Sequence, residues 1–544
     1  MNIKKKVVEA GLDLLTYKVV AFIASFFLLW WIICALRGSS EGMMSLDLEH
    51  ISSTGMVFLV LSIVVVLLLF MSAKFRKLGI SIAEKINGLK WVGLVLLFVF
   101  QFSVITAFGA VDYGWDPRML IPDSRINVSD IDFYFSLYPN NRFLGTFFYC
   151  ISFLFGITDS YVLTSFVLNV FTCLLLDSSI IIIYCTFRKK SELIASYSFW
   201  LLFCLFGFSG FFLIPYSDVY SFFASSVCMY FVISAIRNSK DNKLISYVQY
   251  FIFGGFTYIS YLIKPSSIIP QIALVFLLFF LLLRKSAVSI FVVFLIVLSG
   301  MAVTYIPWTL YENHQDLYSF DDSKAMPMTH FVMMGLTGDG GYNQADYEGT
   351  LSHDTHQEKV AYNIEQISNR IDEFGLSLPF FLMKKANNFM ADGSFGWGVE
   401  GGFLVEHTTN DMPRAFQMFH DLSVSNFLRQ LYMPGTGINA SLRVFEQAIY
   451  ILCIFFALVY ALSSFAKSFS DNCDDIYYSI FMYIAIIGIV LFLLLFESGR
   501  SRYLIQYLPC LTMFSSFGFR TFLHWVKNGL NIFSIAQDFG HSLR

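Results

Sequence analysis

The sequence predicts an all-α polytopic membrane protein of about 12 transmembrane helices, with short re-entrant or juxtamembrane helices on the outer side and a small extracytoplasmic domain. Two observations predict it. The 544 residues are 56% hydrophobic and 18% aromatic, and only 14% are charged. Soluble domains carry about 25% charged residues, so this chain cannot cover a water-facing surface and needs lipid to do so. The second observation is length. Apolar runs close to the ~20 residues that cross a hydrocarbon core recur along the chain.

Twelve runs qualify: 19–36, 56–72, 91–111, 160–186, 191–213, 219–236, 245–263, 266–283, 287–309, 443–466, 477–496 and 503–523. A thirteenth, 143–157, is short and reads as a helix lying at, or dipping into, the outer surface. Basic residues test the count, because Lys and Arg gather on the cytoplasmic side. Lys4, Lys5, Lys6 and Lys18 precede the first span, and Lys74, Arg76, Lys77, Lys85 and Lys90 follow the second. Arg188, Lys189 and Lys190 follow the fourth, Arg237, Lys240 and Lys243 the sixth, and Arg284 and Lys285 the eighth. Lys467, Arg520 and Lys527 complete the set. All fall inside when both termini are cytoplasmic. Counting 143–157 as a span would turn the Arg188 cluster outward. The expected location is the plasma membrane, with the polar site extracytoplasmic.

The basic start is not followed by a small-residue cleavage site, so the first run reads as a retained span. Three regions follow: an N-terminal transmembrane module over 1–309 with an Asp-rich loop at 112–142, an extracytoplasmic domain over 310–442, and a C-terminal transmembrane module over 443–544. A formal net charge of -3 gives no basic face for nucleic acid. Of nine Cys, seven fall in spans, Cys150 in the short helix and Cys473 in an inner loop. A disulfide framework or a Cys-based zinc site is not expected.

Candidate chemistry gathers outside. The loop reads Asp112-Tyr-Gly-Trp115-Asp116-Pro117-Arg118 and later Tyr138-Pro139-Asn140-Asn141. Asp112 or Asp116, at the mouth of a span, can serve as a general base or bind a metal; a solvated acidic loop explains them equally well. Asp218, after span five, is costly at the interface unless hydrated or paired. It orients a substrate or supports the start of the next helix. Lys264-Pro265 follows span seven, where a lone outer cation suits a phosphate or snorkels to headgroups. Glu497-Ser-Gly-Arg500-Ser-Arg502-Tyr503 sets two guanidinium forks and an acid at one interface. Forks of this kind fit phosphate oxygens, which favours function over anchoring.

His330 opens the extracytoplasmic domain, and Gly-rich turns beside aromatics at 340–346 and 392–397 suit sugar rings or ordinary loops. His353 and His356 have no Cys nearby, which argues against zinc. Asp177 lies within span four, toward the cytoplasmic half. An intramembrane acid is functional by default, but its distance from the other motifs favours a structural hydrogen bond.

Three stretches together resemble the GT-C superfamily of membrane glycosyltransferases, which includes protein mannosyltransferases and bacterial enzymes that add sugars to lipid A or wall polymers. They are Trp115-Asp116-Pro117 with Tyr138 to Asn141, Pro215 to Asp218 with Lys264-Pro265, and Glu497 to Tyr503. The likeness covers residues 91–510. It implies an inverting hexosyltransferase that moves a sugar from a polyprenyl-phosphate donor to a surface polysaccharide or other glycan. Asp116 would be the base, with Asp112 second. Lys264, Arg500 and Arg502 would hold the donor phosphate. Tyr216, Asp218, Tyr138, Asn140, Asn141, His330, Glu497 and Tyr503 would contact substrate.

The resemblance leaves a divalent cation, Mg or Mn, open. Implied partners are membrane lipid and the enzyme or flippase that supplies the donor. Two features differ from the superfamily: its paired Glu-Asp or Asp-Glu is missing, and two spans precede the one leading to the Asp loop. Richness in Phe, Ile, Lys and Asn suggests a bacterial source. The competing classes are a lipid-linked oligosaccharide flippase or other transporter, with polar groups near the midplane, and a polysaccharide polymerase or ligase.

Overall fold

The structure, a computed structural model, describes residues 2–38, 64–65, 67–68, 71–239, 241–282, 287–406, 412–464 and 473–527. It is helical throughout apart from one two-stranded ladder among the described residues. The chain is an all-α polytopic membrane protein.

Six helices are long and apolar enough to cross a membrane: Leu15–Arg37, Lys90–Phe108, Tyr161–Arg188, Ser217–Asn238, Ile290–His314 and Gly437–Ser463. Three shorter apolar helices are Glu192–Leu205, Pro265–Leu277 and Ser479–Leu495. Two further expected spans form as the helices Lys243–Ile263 and Leu508–Lys527. The run 56–72 lies mostly outside the described residues. Lys243–Ile263 replaces bulk with small residues for close packing. A Cβ on its Gly254 would stand 2.1 Å from the Val297 carbonyl oxygen, and one on Gly300 would stand 2.0 Å from that of Phe251. Such small-residue contacts let two membrane helices approach backbone to backbone.

The short apolar run becomes the helix Arg142–Leu154, 13 residues long. At 1.5 Å per residue it reaches roughly 20 Å, too short for a ~30 Å core. Arg142 fastens its start to Glu312 at 3.2 Å and Asp322 at 2.7 Å.

Between His314 and Gly437 the described residues form mostly short helices that lie on one end of the bundle. Arg429 Nη1 donates to the Ala107 carbonyl at 2.9 Å, at the end of Lys90–Phe108. Strand β1 (Val111–Tyr113) pairs antiparallel with β2 (Leu404–Glu406), joining the Asp-rich loop to the 397–406 segment. At the opposite end, Lys90 Nζ meets Glu192 Oε1 at 2.6 Å, beside Arg188.

Candidate active site

A cavity of about 890 Å³ opens where the crowning helices meet the bundle end. Local sequence explains why polar residues reach it. Pro265 disfavours helical backbone at the residue before it, so Lys243–Ile263 stops and Lys264 turns extended. Asp218 sits in the first turn of Ser217–Asn238, where a negative charge suits the helix dipole. Ser501–Tyr507 is bound to the Lys264 turn: Gln506 Nε2 donates to Ser266 Oγ at 2.8 Å and the Tyr507 hydroxyl to the Ser266 carbonyl at 2.7 Å. The turn before it needs Gly499, at φ +57, where a Cβ would stand 2.9 Å from Gly341 Cα.

Charges alternate along one side. Lys264 Nζ donates to Asp218 Oδ1 at 2.7 Å. Arg502 Nη1 donates to Glu400 Oε2 at 2.7 Å, and Arg500 Nη1 to Glu400 Oε1 at 2.9 Å. Glu400 thus bridges two guanidinium groups while its side chain is 5% exposed. Arg502 Nε and Asp218 Oδ2 stand 3.7 Å apart, and neither has a hydrogen-bond partner. Three cations meet two carboxylates here, so the cluster carries an excess positive charge. Burial pulls the Lys264 ammonium below its usual value, against the opposing pull of Asp218.

Asp116 occupies an adjoining corner. The Tyr216 hydroxyl donates to Asp116 Oδ2 at 2.7 Å. Burial, with Asp116 alongside, raises the Tyr216 hydroxyl well above its ordinary range, so it keeps its proton. The Arg502 guanidinium lies 5.5 Å from the centroid of the same Tyr216 ring. One tyrosine therefore links the acid to the cationic cluster.

The cavity brings together Asp116, Tyr138, Asn140, Asn141, Tyr216, Asp218, Lys264, Glu497, Arg500, Arg502 and Tyr503. Two residues expected with them stand elsewhere. Asp112 lies on β1 and accepts from Arg125 Nη2 at 2.8 Å, outside the lining. His330 is buried among the crowning helices, its Nδ1 at 2.8 Å from Thr350 Oγ1, and burial lowers it to about 4. Asp177 is buried in Tyr161–Arg188 and does not line the cavity.

Glu497 lines the cavity but does not pair with either arginine. It accepts from the Tyr503 hydroxyl at 3.2 Å, while burial raises its carboxyl against Tyr503 and Arg502. The partner of both arginines is Glu400, which sequence reasoning missed. Its one sequence signal is the stretch Trp397-Gly-Val-Glu400-Gly-Gly, an acid among glycines beside a buried tryptophan.

The acids do not fit a divalent cation. Asp218 and Glu400 face cations, and Asp116 and Glu497 accept from tyrosine hydroxyls. Hard cations need several free oxygen ligands. Among the described residues no three His, Cys, Asp or Glu side chains come together around a metal position.

Residues 15–522 match the model of a family described as conserved hypothetical integral membrane protein. The chain belongs to that family. No curated protein matches it. Among solved structures, the archaeal oligosaccharyltransferase AglB from Archaeoglobus fulgidus, in complex with an inhibitory peptide and a dolichol-phosphate, matches at a TM-score of 0.41 and 12% identity. The match covers 84% of this chain and 54% of AglB, so the chain spans about half the length of that protein.

Proposed function

We propose that this protein is a GT-C-type membrane glycosyltransferase that moves a sugar from a polyprenyl-phosphate donor to a glycan on the outer face of the membrane. One observation carries the reading. Asp116 and the Lys264–Arg500–Arg502 cluster face a single cavity, and Tyr216 touches both. A base and a cationic leaving-group site sharing one cavity is the pairing that glycosyl transfer from a phosphate requires.

The chemistry follows from these residues. An acceptor hydroxyl attacks the anomeric carbon while Asp116 takes its proton. The carbon–oxygen bond to phosphate breaks on the far side, and the configuration inverts. The polyprenyl phosphate that leaves gains one negative charge. Fixed cations stabilise that growing charge without reorganising. Arg502 lines the cavity with its side chain 17% exposed, so its guanidinium offers charge to a phosphate there. Glu400 holds both guanidinium groups in place before the ligand arrives.

Apolar residues Ile268, Ile269 and Ile272 line the cavity beside Lys264, and Ile272 is 41% exposed on the helix surface. They suit the first isoprene units of the donor. The basic corner at Lys90 and Arg188, at the opposite end of the bundle, supports an outward-facing cavity.

The test uses membranes carrying the wild-type chain or Asp116→Asn, a panel of polyprenyl-phosphate sugars and isolated surface polymer. Release of polyprenyl phosphate and sugar incorporation are followed together. Wild type should consume one donor, and Asp116→Asn should lose turnover by about 10²–10⁴-fold. Full activity in Asp116→Asn removes Asp116 as the base. A folded wild type that consumes no donor overturns the transferase reading.

A further inference from the structure

Trp115 is held open by its surroundings. Among the described residues only Trp115 and Phe395 are non-glycine residues with positive φ, at +58 and +56. A bulky residue in that region is costly, and such outliers gather at sites where strain is part of function. Phe395 has a packing reason, since it is fully buried in the core. Trp115 has none of that kind, because 58% of it is exposed.

The backbone around it is fixed from two sides. Strands β1 and β2 pair up to Tyr113 and Leu404, and Gly114 N–H donates to the Phe403 carbonyl at 3.0 Å. The indole then packs edge-on against Phe403, with centroids 5.2 Å apart, and against Tyr342 at 6.0 Å. Tyr342 is itself 43% exposed. All three rings line the same cavity as Asp116, the next residue in the chain.

We infer that Trp115, Tyr342 and Phe403 form a carbohydrate platform that seats one pyranose ring of an acceptor glycan beside Asp116. Aromatic side chains combine a large apolar face with polar tips, and the C–H face of a pyranose is apolar while its rim carries hydroxyls. Asn140, which lines the same cavity, offers an amide to such hydroxyls. A peptide or a lipid headgroup uses less of this arrangement, since neither presents a flat apolar ring face ringed by hydroxyls. The platform's role as an acceptor site rests on the transferase reading; its affinity for sugar rings does not.

The experiment separates the two. Full-length protein in lipid nanodiscs is titrated with cellohexaose, mannohexaose and chitohexaose, and isothermal titration calorimetry reads binding. Wild type should bind at least one of them. Trp115→Asn, a residue that tolerates positive φ, should weaken that binding at least about tenfold, and Trp115→Tyr should keep most of it. An unchanged thermal midpoint for Trp115→Asn shows that the loss is local.

Equal binding by Trp115→Asn overturns the platform, as does failure of wild type to bind any of the three oligosaccharides. Capture of an unstructured peptide at Trp115 in place of sugar overturns it too. Donor consumption in the presence of isolated surface polymer and the polyprenyl-phosphate sugars is measured on the same samples. Sugar binding through Trp115 with no donor consumed keeps the platform and removes the transferase reading. Donor consumption without sugar binding does the reverse.

Discussion

Two lysine–carboxylate pairs stand at opposite ends of the bundle. Lys264 Nζ meets Asp218 Oδ1 at 2.7 Å, with side chains 11% and 3% exposed. Lys90 Nζ meets Glu192 Oε1 at 2.6 Å, with side chains 10% and 51% exposed. The distances are alike and the surroundings are not. Glu192 keeps its water, so its charge stands without a partner. At the cavity both ions have left water. That transfer costs several kcal/mol per ion, and their attraction offsets little more than the cost. A buried pair is therefore poor glue. Finding it beside the bridged Arg500–Glu400–Arg502 set points to a charge pattern kept for a ligand rather than for stability.

The largest effect should come from breaking the buried pair on one side. Asp218→Leu leaves Lys264 buried without its carboxylate, which should cost about 3–5 kcal/mol. The loss is read as a lower thermal midpoint of the detergent-solubilised protein. The double variant Asp218→Leu with Lys264→Met should recover most of that stability and still fail to turn over donor. A double variant as unstable as the single one makes the pair structural, and the contrast with Lys90 then loses its meaning.

A third lysine sharpens the comparison, because it is buried and held by carbonyls instead of a carboxylate. Lys385 Nζ donates to the carbonyls of Gly335 at 2.8 Å, Leu494 at 3.0 Å and Phe496 at 2.6 Å. It thus ties the crowning helices to the end of Cys473–Leu495, just before Glu497. Burial lowers its ammonium from 10.5 to about 7. Between those values the unfolded chain holds a proton that the folded chain has released. Stability should therefore rise with pH from about 7 toward 10, by an amount on the order of 4 kcal/mol. Below about 7 both states are protonated and this contribution is flat. Lys385→Met should remove the rise in midpoint across that window. If the slope persists in the variant, another group carries it.

Much of this was legible before any fold was known. Polar residues in a chain this apolar stand out, and these cavity-lining ones sit where helices stop: Asp116 after a span, Asp218 in a first turn, Lys264 before a proline, Arg500 and Arg502 after a Gly turn. Helix ends are local features, and local features survive in sequence. Glu400 was hidden for the opposite reason. It belongs to no periodic segment, and its partners lie a hundred residues away at Arg500 and Arg502.

His330 was expected to contact substrate, but Met328–Met334 packs against His356–Phe374 and Thr350, in Gln344–Leu351, stands beside its buried ring. Glu497 was expected to contact substrate, and it stands close to the arginines in sequence without pairing with them. The left-handed turn at Gly499 separates it from them, and its carboxylate meets Tyr503 instead. Helix lengths followed apolar runs at Lys243–Ile263 and Ala287–His314, whereas the run 191–213 forms a helix only over Glu192–Leu205 and the run 503–523 begins its α-helix at Leu508.

The smallest effect belongs to the other corner of the bundle. Lys90→Met removes an ammonium that touches Glu192 and lies 4.6 Å from the Tyr184 ring centroid. Glu192 remains half in water, with the Tyr184 hydroxyl still donating to it at 2.9 Å. No buried charge is stranded, so the cost should stay within about 1 kcal/mol, the range of exposed pairs. Donor turnover should not change, because nothing at this end reaches the cavity. A large loss of stability would show that exposure of one partner is not what separates the two pairs. A loss of turnover with stability intact would mean that the two ends of the bundle are coupled. The cavity charges could then no longer be treated as a site set apart by burial alone.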